Sequence, residues 1–141
     1  MSEIIEIEHS KDKYPDPDWN PKEGEIFQSI ISSLSDEDFS AQAKKNLINE
    51  TKGILGKCIN PEILEPQKKT GLVIGHVQSG KTTSFTSLIG LALDNNFHLV
   101  IVLGGRVNSL LKQNVDEISK SLAKFQDDVH TFSVDLERPD R

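Results

Sequence analysis

The run Gly71-Leu72-Val73-Ile74-Gly75-His76-Val77-Gln78-Ser79-Gly80-Lys81-Thr82-Thr83 constrains this chain more than any other stretch. It reads as a short apolar strand over Leu72–Gly75, a loop bounded by two glycines, and a helix that starts at Lys81. Gly75 through Thr82 fit the pattern G-x-x-x-x-G-K-[ST], the Walker A loop. A random chain of this size matches that pattern less than ~1% of the time, so the spacing carries meaning. Four residues between the glycines let the backbone wrap a phosphate with several N–H groups turned inward. Gly80 permits the tight turn and the close approach to an anion. Lys81 brings a positive charge to the β and γ phosphates. Thr82 offers a hydroxyl to Mg²⁺, and Thr83 continues the first turn of a helix whose N-terminal end favours the same anion. The ligands expected here are ATP and Mg²⁺, with Gly75, His76, Val77, Gln78, Ser79, Gly80, Lys81, Thr82 and Thr83 as the binding loop.

Beyond the loop, helical and strand-like patterns alternate. Phe85, Leu88, Ile89, Ala92 and Leu93 share one face of a helix over 81–93. Asp94-Asn95-Asn96 reads as a turn, and Phe97–Leu103 as an apolar strand broken only by His98. Gly104-Gly105 ends it. A further helix begins near Asn108 or Ser109, both good N-caps, with Leu111, Val115, Ile118, Leu122 and Phe125 on one face. Val129–Val134 is a third strand candidate. Strand, helix, strand, helix, strand predicts a parallel sheet with right-handed crossovers, an α/β P-loop NTPase of RecA-like type.

The first half is of another kind. Residues 1–24 contain Tyr14-Pro15-Asp16-Pro17-Asp18-Trp19-Asn20-Pro21 and read as a flexible arm. Residues 25–69 read as a helical extension. Phe27, Ile30, Ile31 and Leu34 mark one helix. Ser35-Asp36-Glu37-Asp38 resembles a capping box opening a second helix that breaks near Gly53 and Gly56. The P-loop unit is then 70–141. A net charge of −6 excludes a globally basic nucleic-acid binder. No run approaches the ~20 apolar residues of a membrane span, and the single Cys58 forms no internal disulfide. These features predict a cytoplasmic protein.

The segment Gly71–Ile118, with its Val77-Gln78-Ser79-Gly80-Lys81-Thr82 loop, its Leu99–Gly105 strand end and its Asn108, Leu110 and Gln113, resembles the start of the Z-1 domain proteins. These are bacterial superfamily-two helicase-like ATPases described as endonucleases. The resemblance covers about a third of the chain. It implies the first, ATP-binding lobe of a DNA-directed ATPase, with further domains following. It also implies a nucleic-acid contact in the loop that resembles motif Ia, where Arg106, Asn108 and Lys112 are the candidates. Leu111 stands where the family carries an arginine.

Other residues carry less. Asp135 follows a segment interrupted by Thr131 and Ser133, a poor fit to the buried strand that precedes a Walker B carboxylate. No arginine-bearing motif VI and no Asp-Glu-x-His box are present, so these residues alone are expected to bind ATP without turning it over. Two readings compete with the helicase-like one: a small P-loop phosphotransferase, and a nucleotide-binding regulatory module that never hydrolyses.

Overall fold

The structure is a computed structural model and describes residues 19–63, 68–73, 81–103 and 108–132. Four helices occur in it: α1 (Glu25–Ser33), α2 (Ala41–Lys57), α3 (Lys81–Asp94) and α4 (Asn108–Leu122), the last followed by a single 3-10 turn over Ala123–Phe125. α3 lies at the centre. Phe27 of α1, Leu55 of α2 and Leu91 and Ala92 of α3 form one buried cluster, while Ile30 of α1, Ile89 of α3 and Leu122 of α4 form a second. α1 and α3 therefore contribute to both clusters, and α2 and α4 each complete one. Full burial of Phe27 and Leu91 is worth roughly 1.5–3 kcal/mol apiece.

The α1 apolar face matches its sequence spacing, with Phe27 and Ile30 buried and Ile31 and Leu34 half-buried. Gly90 of α3 packs against α1. A Cβ there would stand 2.5 Å from Ile30 Cδ1, so any larger residue would have to displace the end of that side chain.

α2 differs from expectation at both ends. Its N-cap is Ser40, whose Oγ accepts from the Ala43 amide at 3.2 Å. Ser35 instead pairs with Asp38 in the preceding turn, donating its hydroxyl to Asp38 Oδ2 and accepting from the Asp38 amide. The helix then runs through Gly53 and Gly56 to Lys57. Each glycine costs about 1 kcal/mol in a helix. Burial of Leu55, at 3% exposure, and Lys57 in the last turn offset that cost.

The residues Asp94-Asn95-Asn96 act as three separate fasteners. Asn96 takes a left-handed backbone at φ 65°. Phe97 N–H then bonds Ala92 O and Asn96 N–H bonds Leu93 O, closing α3 in a Schellman motif. Asn95 is buried; its Oδ1 accepts from the Lys22 amide, and its Nδ2 donates to Lys22 O and Leu91 O. Asp94 sends its carboxylate to the start of α1, accepting from Ile26 N at 3.2 Å and Phe27 N at 2.8 Å. Gly24 leaves room for that carboxylate, since a Cβ there would come within 2.5 Å of Asp94 Cγ. Trp19 joins the same assembly: its indole N–H donates to Cys58 O at 3.1 Å and its ring packs on the first cluster.

The expected parallel sheet is overturned. Just over half of the described residues, 56%, are helical, and none forms a strand. Described residues 72–73, 97–103 and 129–132 of the three strand candidates carry no strand. Ile74 and Gly75 of the first candidate, and Ser133 and Val134 of the third, lie outside the described residues. The physical reason is pairing. An apolar run favours burial, but a strand exists only where another backbone supplies its ladder bonds. Leu72 is 84% exposed, Leu99 75%, Ile101 73% and Leu103 92%; only the first residues of the second and third runs, Phe97 and Val129, pack on the two clusters. His98 and His130 are likewise exposed. Among the described residues no helix is long and apolar enough to cross a membrane.

Candidate functional site

α3 begins at Lys81, the residue after the second glycine of the loop pattern. Gly75, His76, Val77, Gln78, Ser79 and Gly80 lie outside the described residues, as does the Lys81 side chain. Thr82 and Thr83 are half-buried on the first turn of α3. The first-turn amides of a helix have no acceptor within it, and a 14-residue helix presents its positive end there.

Thr82 and Thr83 open onto a cleft of about 230 Å³ between α1, α3 and α4. Thr86, one turn further along α3, shares that wall, and Glu117, Lys120 and Ser121 of α4 stand across it. Thr86 is 3% exposed and its Oγ1 has no hydrogen-bond partner. Ser87 Oγ, fully buried, is also unpartnered. Glu117 is held in place on α4: one carboxylate oxygen accepts from Gln113 Nε2 at 2.9 Å, and its carbonyl accepts from Ser121 Oγ at 2.9 Å. The cleft thus joins hydroxyls, one carboxylate and one ammonium beside the start of α3.

Neither Thr86 nor Glu117 belongs to the loop motif. Thr86 had a signal, because it lies four residues after Thr82 and so on the same helical face. Glu117 had none, since nothing local links α4 to α3.

A second polar cavity of about 230 Å³ is lined by Trp19, Lys22, Asn60, Glu62 and Asp94–Asn96. Its amide and carboxylate groups at 94 and 95 are already engaged in fastening α3 to α1 and to the segment before it.

Of the expected nucleic-acid residues, Asn108 and Lys112 stand four apart on α4. Arg106 lies outside the described residues, Asn108 is the first residue of α4, and Lys112 is exposed on its second turn. Asp135 also lies outside them. Cys58 is half-buried, and burial pushes its thiol pKa up, with Lys69 opposing the shift. Its Sγ points to Ile54 O at 3.5 Å. Among the described residues no three or more His, Cys, Asp or Glu side chains gather as metal ligands. Comparison of the chain with family models, with curated proteins and with solved structures returns no match.

Proposed function

We propose that this chain binds ATP with Mg²⁺ through Gly75–Gly80 and the first turn of α3. The observation that supports it is the helix start. α3 opens at Lys81, so the lysine and Thr82 of the sequence pattern belong to the turn whose free amides and dipole favour a phosphate. Lys81 supplies charge to the β and γ phosphates, and Thr82 a hydroxyl to the cation. The reading depends on this local unit of loop and helix and needs no sheet. It also fits a cytoplasmic location.

The test is a titration of a fluorescent ATP analogue into the parent and Lys81→Ala, with and without Mg²⁺. Loss of a charge-assisted contact costs about 1.5–3 kcal/mol, so the variant is expected to bind roughly 10- to 150-fold more weakly. Chelation of Mg²⁺ is expected to weaken the parent. Equal affinities in parent and variant would refute the assignment.

A further inference from the structure

We infer that Leu99–Leu103 pairs antiparallel with the same run of a second copy of this chain, in a two-fold dimer centred on Ile101. Nucleotide plays no part in this contact. The run leaves the helical core at a fixed point, since Phe97 packs on the first cluster and its N–H bonds Ala92 O. From there exposure alternates. Leu99, Ile101 and Leu103 are each at least 73% exposed, whereas Val100 and Val102 are 37% and 45% exposed. A period of two belongs to extended backbone. Among the described residues, none bonds the backbone of Leu99–Leu103. The run thus presents free N–H and C=O groups together with apolar side chains, which is a template for another strand.

The composition of the run selects the occupant. From Phe97 to Leu103 there is no Asp, Glu, Lys or Arg, so a strand laid beside it must be apolar and uncharged over about five residues. The other exposed large apolar residues of the described chain are Ile63, Leu72, Val73 and Phe132. They come singly or as a pair and do not reach that length. A second copy supplies length, neutrality and register together. Antiparallel about Ile101, Leu99 meets Leu103, Val100 meets Val102 and Ile101 meets itself. Every cross-strand pair is aliphatic and the central ones are β-branched, which sheets favour. The contact is self-complementary, as a two-fold interface requires.

The anchors exclude a parallel pairing. It would set the two Phe97 residues, and the α3 ends bonded to them, about 4.8 Å apart, whereas one helix is about 10 Å across. Antiparallel pairing sets the same residues about 27 Å apart, eight residues of strand rise. The exposed side chains make a patch of roughly a few hundred Å², the size that marks a functional surface on a monomer. A standard interface takes about 800 Å² from each partner, so this dimer is weak, with micromolar affinity.

Sedimentation velocity of the full chain from about 5 to 500 μM tests this. The parent is expected to pass from monomer to dimer over that range. Ile101→Lys sets two ammonium groups opposite each other and is expected to weaken the dimer about tenfold or more. Ile101 is exposed, and a urea midpoint equal to the parent's shows that the variant is folded. Cross-linking in a Cys58→Ala background reads the register. Ile101→Cys stands about 5 Å from its copy between Cα atoms, within disulfide range, and is expected to oxidise to a covalent dimer. Leu103→Cys stands about 14 Å from its copy and is expected to cross-link far more slowly, although position 103 is the more exposed. A parent that stays monomeric, or that grows past a dimer, overturns the inference. So does an Ile101→Lys variant that dimerises like the parent. Cross-linking at 103 as fast as at 101 also overturns it, being the mark of random collision.

Discussion

Replacing Asp94 by alanine tests how α1 is held. Asp94 ends α3, yet its two carboxylate oxygens accept from Ile26 N and Phe27 N at the start of α1. Gly24, the formal N-cap of α1, makes no side-chain bond of its own. The capping function has passed to a residue of another helix. Losing a cap costs about 0.5–2 kcal/mol, and the upper end applies because the acceptor is charged and both oxygens are used. Phe27 is fully buried, so its neighbouring amide regains little water. Two gains oppose the loss: a negative charge leaves the C-terminal end of α3, about 0.3–1 kcal/mol, and alanine is the better helix former by about 0.5 kcal/mol. The cap loss of about 2 kcal/mol already includes the stranded amides, so after these gains the net is a destabilisation of about 1 kcal/mol. Urea unfolding followed by circular dichroism would show the midpoint falling by about 0.5 M with an unchanged slope. Asp94→Asn keeps one acceptor oxygen and is expected to lose about half as much. Asp36→Ala is the control, since Lys44 meets Asp36 in an exposed ion pair. A shift in Asp94→Ala no larger than the control's would mean that the carboxylate does not cap α1.

Gly90→Ala brings a methyl against Ile30 Cδ1; overpacking of about 1–3 kcal/mol outweighs the ~1 kcal/mol gained in helix propensity. Ile30→Val removes the clashing atom, so the double variant is expected to lose less stability than the two single losses combined, and simple additivity in urea midpoints would contradict the packing argument. Burial raises the Cys58 pKa, so the folded state holds the thiol proton more tightly than the unfolded chain. Its contribution is full below the ordinary thiol pKa of about 8.5 and declines as pH rises through the raised value. Cys58→Ala is expected to flatten that part of the stability profile above pH 8.5, and an unchanged profile would count against the burial effect.

Helices α1, α3 and α4 were legible because a 3.6-residue apolar period is a local property. Phe27 and Ile30 give α1 away within one turn. The start of α3 at Lys81 was legible from the loop pattern alone. The strand candidates were not decidable locally. Leu99, Ile101 and Leu103 state a preference for burial, whereas pairing depends on backbone elsewhere, and here all three are exposed. Ser35 and Ser40 illustrate a smaller ambiguity: both have cap chemistry, and Lys44 settles it by tying α2 back to Leu34 O and Asp36. In the candidate site, Thr82 and Thr83 followed from the motif. Glu117 did not, because its place opposite Thr82 and Thr83 is set by how α4 crosses α3.

The fastening of α1 by Asp94 also sets a schedule. A nine-residue helix such as α1 does not persist alone in water, and its cap is donated from 67 to 68 positions downstream. A chain growing at about 5–20 residues per second makes α1 several seconds before that carboxylate exists. Until then Phe27 lacks both its cap and its packing partner Leu91. The nascent segment must stay open and apolar over that interval, exposed to whatever binds unfolded chains. Once the last turn of α3 emerges, Asp94, Asn95 and Leu91 arrive together, and the two ends of the core close in one step. Cutting the chain before residue 94 would therefore leave the first half unable to fold, although every residue of α1 and α2 would still be present.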